Sequence, residues 1–166
     1  MPDPTLSQAI KEAYASAPKV PVYHTLELNH PAFSQPIYVV RDYSDLTAYL
    51  ETGVEVTFVR FAFDLKKPEI SPTGVPQCTI EIDNVSREIL ANVQLAVVSG
   101  EKITATYREY LASDLSGPQN NPPMPLTVTG IKATPMRVTA TAGYGDLSNK
   151  RFGTDYTDER FPGLPL

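Results

Sequence analysis

The order of apolar and polar residues changes period several times along this chain. Over residues 3–18 it is helical. Leu6, Ala9, Ile10 and Ala13 line one face, and Ser7, Gln8, Lys11 and Glu12 line the other. Asp3 is placed to cap this helix, Pro4 suits its first position, and Pro18 follows its end. The apolar face is short and narrow, so the helix must lie on another part of the protein to be stable. From Val20 the period becomes 2. Val22, His24, Leu26 and Leu28 share a face, opposed by Tyr23, Thr25 and Glu27. Residues 36–42 continue the extended pattern. Residues 46–65 predict two strands about a turn at Glu51, Thr52 and Gly53. Phe61, Phe63 and Leu65 fall on one face of the second strand and Phe58 on the other. Large residues on both faces predict burial on two sides, or at an interface.

Residues 66–77 read as a loop, and residues 78–84 as a strand with Cys78, Ile80 and Ile82 in register. A second helix follows, capped by Asp83 or Asn84, with Val85, Ile89 and Val93 facing inward and Gly100 ending it. Ile103, Ala105 and Tyr107 alternate with Lys102, Thr104 and Arg108. Residues 113–125 have the length and composition of an exposed functional or disordered connection. Residues 126–143 predict two strands joined at Ala133, Thr134 and Pro135. Residues 151–166 carry no period, because Gly153, Pro162, Gly163 and Pro165 interrupt them. The expected fold is a β-dominated α+β domain: an antiparallel sandwich or partly open barrel, with two helices and an irregular C-terminal arm. Residues 1–150 form the single domain, with the first helix inside residues 1–18, and residues 151–166 form the arm.

Composition agrees with many short elements. Sixteen prolines in 166 residues are about twice the usual share, which disfavours a helix bundle. A formal net charge of −5 without any basic block argues against specific binding to nucleic acid. A single cysteine, Cys78, excludes an internal disulfide and a multi-thiolate metal site. The N-terminus lacks the pattern of a signal peptide, and no apolar run is long enough for a membrane anchor. Synthesis in the cytoplasm is expected.

Candidate chemistry is sparse. His24 lies on an apolar strand face and reads as a satisfied core or edge histidine, while His30, before Pro31, reads as exposed. Cys78 reads as a small buried hydrophobe. Glu81 and Asp83 share a strand face and could point together into a groove, or simply be solvated there. Asp155, Asp158 and Glu159 do not match a calcium loop. No nucleophile–base pair, phosphate loop or metal spacing is found, so no catalytic residue, metal or cofactor is expected.

Five segments together resemble a family of small minor tail proteins of tailed phages and prophages, described only as a domain of unknown function. They are His30-Pro31-Ala32, residues 36–42, residues 61–63, the Asp83 to Arg87 junction, and Phe161-Pro162-Gly163-Leu164. The resemblance implies a structural subunit in the virion tail, at the distal tip or hub of a long tail. It implies assembly into a ring with copies of itself and contact with other tail-tip proteins. Related tip proteins of some long-tailed phages add a cysteine-ligated iron–sulfur region, and the lone Cys78 leaves no place for one. The expected interface residues are Leu6, Ala9 and Ile10 on the first helix, and Phe152, Tyr156, Phe161, Pro162, Gly163 and Leu164 in the arm. Pro162-Gly163 suits the centre of a type II turn that presents Phe161 and Leu164 as anchors. The competing expectation is a β-sandwich accessory module that binds carbohydrate or another small ligand through exposed tyrosines beside residues 113–125, and a third, weaker one is a hydrolase using carboxylates such as Glu81 and Asp83.

Overall fold

In a computed structural model of the chain, residues 4–16, 20–66, 77–83, 87–134 and 136–143 are described. They form two helices and nine strands. In chain order these are α1 (Gln8–Ala15), β1 (Val22–Asn29), β2 (Ile37–Val40), β3 (Leu46–Tyr49), β4 (Glu55–Arg60), β5 (Phe63–Lys66), β6 (Gln77–Asp83), α2 (Arg87–Ser99), β7 (Thr104–Leu111), β8 (Met124–Ala133) and β9 (Arg137–Gly143). All nine strands belong to one open sheet, in the order β3-β4-β2-β1-β7-β8-β9-β6-β5. The class is therefore the expected β-dominated α+β, with two helices.

One pair departs from the antiparallel expectation. β2 and β4 are parallel, joined through Val39 opposite Val59 and Val40 opposite Arg60. The cause is the order of the strands. The β3–β4 hairpin folds back so that β4 lies between β3 and β2, and two reversals of direction leave β4 parallel to β2.

The chain then passes from β4 to β5 through only Phe61 and Ala62, yet β5 lies at the far end of the strand order. Two residues can join these positions only if the sheet coils back on itself. The Phe61 amide donates to Val40 and the Asp83 amide donates to Ala62, each at 2.9 Å, which ties this link to both ends of the sheet. The result is a coiled sheet with a seam, open as a barrel is when one pair of strands is left incompletely joined.

Alternation of side chains makes two cores. The inner one gathers Leu26, Val39, Phe63, Ile80, Ala105, Leu126 and Ala142, with Ala96 of α2 packed on it. The outer one lies between the sheet and the β3–β4 hairpin, and holds Val40, Leu46, Ala48, Phe58 and Tyr110. Each fully buried aliphatic or aromatic side chain contributes about 1.5–3 kcal/mol of transfer free energy. The predicted split of Phe58 from Phe61, Phe63 and Leu65 is the split between these cores. Cys78, Ile80 and Ile82 are buried together, as their alternation required.

The ends of the helices differ in how they match expectation. α1 begins later than Asp3 and Pro4 suggested. Ser7 is its cap, and the Ser7 hydroxyl accepts from the Ile10 amide at 3.3 Å. α2 ends where expected, with Gly100 at φ +73°, a backbone conformation that favours glycine. The side chains of Val85, Ile89 and Val93 lie outside the described residues.

Residues 113–125, expected as an exposed connection, are tied down instead. The side chain of Asn120 is buried and takes the place of a strand beside β7, accepting from the Glu109 amide at 3.0 Å and donating to the Tyr107 carbonyl at 3.1 Å. Asp114 accepts from the Ser116 amide and hydroxyl, which closes the turn before it.

Candidate functional site

The N-terminal segment is attached to that loop. Leu6 forms a bridge with Asn120, the Ser7 amide donates to the Gln119 carbonyl at 2.9 Å, and the Asn121 amide donates to the Thr5 carbonyl at 2.8 Å. α1 is thereby aimed across the body of the domain. Of the expected interface residues on it, Ile10 is fully buried against the same chain, Leu6 is half-buried and Ala9 is exposed. The helix docks through Ile10, with Ala13 half-buried on the same side and Leu6 bridged to Asn120 just before its start, so Ala9 does not take part in that contact. The other expected interface residues, Phe152, Tyr156, Phe161, Pro162, Gly163 and Leu164, lie outside the described residues.

Two polar clusters sit within the sheet. The first surrounds Arg108 on the outer face of β7. Its side chain is 4% exposed, and it pairs with Glu27 of β1 at 2.7 Å and with both carboxylate oxygens of Glu51 at 2.8 and 2.9 Å. Burial works against the charge of Arg108, but its hydrogen bonds to Glu51 and Glu27 outweigh that and hold the guanidinium above its usual value. The same hydrogen bond is the main reason the Glu51 carboxyl is held below the ordinary carboxylate range. Glu51 lies in the β3–β4 turn, so Arg108 clamps that hairpin to the sheet. The Tyr110 hydroxyl adds a bond to the Tyr49 carbonyl at 3.0 Å.

The second cluster lies on the opposite face of β7. The Tyr107 hydroxyl donates to Glu109 at 2.7 Å, and Nδ1 of His24 is 2.6 Å from the same hydroxyl. Since the hydroxyl hydrogen goes to the carboxylate, Nδ1 of His24 is the donor in the second contact. Tyr14 of α1 also bonds to Glu109. Burial chiefly, with the charge of Glu109 and that bond, pushes the Tyr14 hydroxyl up to about 12. Burial, together with Glu109, raises Tyr107 further. These hydroxyls hold their protons and fix α1 in place. His24 is thus the satisfied histidine its position predicted.

His30 is not exposed as expected; it is 3% exposed. Its Nδ1 accepts from the Ala32 amide at 3.0 Å, and its Nε2 faces the Glu101 carbonyl and Ser99 hydroxyl, both at 3.2 Å. The imidazole therefore joins the turn after β1 to the end of α2. Burial raises the Cys78 thiol, which suits a packing role. Glu81 and Asp83 do point together, but onto Arg137, which lies opposite Asp83 on β9. This is a solvated set of ion pairs. Among the described residues no group of three or more acidic, histidine or cysteine side chains is arranged to hold a metal. No described helix is long and apolar enough to cross a membrane.

The surface adds features that alternation did not single out. A groove of about 620 Å3 runs beside the β4–β5 link. Arg41 and Asp64 pair across it at 3.1 Å, and the nearly fully exposed Tyr43 lies at its side. A second cleft of about 570 Å3 opens between β2 and β4, lined by Ile37, Val39, Val56, Val59 and Phe61, with Asn92 of α2 above. On α2 itself, Leu95 and Val98 are 53% and 87% exposed. Their i, i+3 spacing places them side by side on the helix, and that spacing was the signal available in the sequence.

These features define a β-rich scaffold with apolar outer positions. A family model described as a domain of unknown function, DUF1833, matches residues 9–156. The chain belongs to that family. No curated protein matches it.

Proposed function

We propose that this protein is a structural subunit of a phage tail, built into the distal tip or hub by association with copies of itself and with other tail proteins. It has no catalytic role and needs no cofactor. The reading rests on the motif resemblance of residues 30–42, 61–63, 83–87 and 161–164. The observation that carries its assembly part is the outward face of α2. Leu95 and Val98 are adjacent and exposed there, and an apolar pair on an ordered helix suits burial against a second protein.

The experiment is mass measurement in solution across a range of concentrations, followed by electron microscopy of particles and tails. Closed rings or tail-tip incorporation are expected. Leu95→Asp with Val98→Asp should abolish them while the far-ultraviolet strand signal persists. A wild-type chain that stays monomeric, and is missing from tails, defeats the reading.

The ligand-binding alternative has one observation in its favour: the polar groove in which Tyr43, 96% exposed, offers an aromatic face beside Arg41 and Arg60. Carbohydrate binding lost in Tyr43→Ala would favour it. The loop of residues 113–125 is tied to the N-terminal segment and is a weaker candidate for that site.

A further inference from the structure

The parallel pairing of β2 and β4 stops after two residues on each strand. Continued in the same register, Tyr38 would face Phe58 and Ile37 would face Thr57. The pairing is not continued there, although the Tyr38 ring still packs edge-on against Phe58, ring centroids 5.5 Å apart. β2 pairs with β1 on its other side, and β4 pairs with β3 on its other side. The cleft between them is therefore bounded by two strand edges with no described strand between them. Its lining residues are apolar or uncharged, and Val59 faces it while 46% exposed. The volume of about 570 Å3 lies within the range of roughly 300–1,000 Å3 typical of concave binding sites.

We propose that this cleft is the docking site for the chain's own C-terminal arm, residues 151–166, with Phe161-Pro162-Gly163-Leu164 as the anchor. The anchor chemistry fits the lining. Phe161 and Leu164 are large and apolar, and nothing in the four-residue run is charged. An extended segment can also bond to free strand edges through its backbone, as peptides do when they add to a sheet. The length suffices. Seventeen residues lie between Gly143, the last of β9, and Phe161, and the eighteen steps along the chain span about 60 Å in extended form. That exceeds the diameter of about 40 Å of a domain this size. The arm can thus reach the cleft of its own copy or of an adjacent one. The inference builds on the assembly reading above only for the second of these.

The test uses the full chain and engineered cysteines. The native Cys78 is 2% exposed and does not compete. Val56→Cys with Phe161→Cys should form a link between positions 56 and 161 under mild oxidation. It should form about tenfold or more faster than the link in a control with Lys132→Cys and Phe161→Cys, because docking raises the effective concentration. Val59→Cys with Phe161→Cys provides a second geometry should the first disturb the fold. Linking at either cleft position above the control supports the site. Linking at neither, or at the control rate, overturns it. The size of the linked species separates the two claims. A linked dimer supports docking and assembly together, whereas a linked monomer supports docking and counts against the arm's role in assembly.

Discussion

Replacing Arg108 by Met tests what clamps the β3–β4 hairpin to the sheet. Methionine keeps most of the aliphatic stem, so the change isolates the loss of the guanidinium. Two carboxylates then lose their partner, unequally. The Glu51 side chain is 36% exposed and can turn to water, but Glu27 is only 13% exposed and remains among packed side chains. Breaking a buried pair by removing one partner costs about 3–5 kcal/mol. The value expected here is near the lower end, because Glu51 is partly solvated. With a urea slope of about 2 kcal/mol per molar, the unfolding midpoint should fall by about 1.5–2 M. Glu51→Gln should cost about 1 kcal/mol or less, since the pair it breaks is partly screened by solvent.

The charge origin has its own control. Arg108→Met combined with Glu27→Leu removes the stranded carboxylate and should recover most of the loss, because the two sites are in direct contact and do not add. Urea unfolding followed by circular dichroism reads all three variants. If Arg108→Met shifts the midpoint by less than about 0.5 M, or the double variant is no better than the single, the pair does not clamp the hairpin. A pH series adds a second reading. The Glu51 carboxyl is depressed in the folded state, so its contribution is complete above the ordinary glutamate value of about 4.3 and is lost as pH falls through the lower folded value. That part of the acid slope should vanish in Glu51→Gln.

Three further outcomes follow from the packing. Ile10→Ala should weaken α1 docking by about 2–4 kcal/mol and speed amide exchange in Lys11 to Ala15, while Ala9→Asp, at an exposed position, should leave that exchange unchanged. Phe58→Ala should cost about 3–5 kcal/mol, seen in the melting temperature, because Tyr38 and Tyr110 both pack on that ring. Tyr14 and Tyr110 are held near 12, mainly by burial, so their contribution is intact below about pH 10 and is lost as pH rises through the folded values. Ultraviolet titration should find both hydroxyls ionising well above the ordinary tyrosine value of about 10.

Much of the fold was legible because the two faces of each strand meet different surroundings. His24, Leu26 and Leu28 on one side, and Cys78, Ile80 and Ile82 on another strand, announced the inner face. Gly100 announced the end of α2 because a left-handed residue was needed there. The buried state of His30 was not legible. Its partners, Ser99 and Glu101, lie about seventy residues away and become neighbours only when α2 packs back on the sheet. The order of residues 113–125 was hidden for the same reason. A run rich in Asn, Pro and Ser reads as loose until Thr5 and Ser7 arrive to bond it.

The seam shows a limit of a more general kind. Val59, Phe61, Phe63 and Leu65 keep one alternation through the link from β4 to β5, so the sequence pattern is that of a single strand. Their side chains do stay on the inner side: Val59 is opposite Val39, and Phe61, Phe63 and Leu65 belong with the inner core. What changes at Phe61 and Ala62 is the partner, from β2 to β6, and alternation carries no information about which strand lies alongside. The consequence is visible in burial along this one phase. Phe63, supported by β6, is 4% exposed, whereas Val59, the first β4 residue paired with β2, is 46% exposed. This inner-facing valine, left half in water, is apolar surface lining the β2–β4 cleft. That is why the β2–β4 cleft, rather than any charged groove, is the position at which an apolar arm has most to gain.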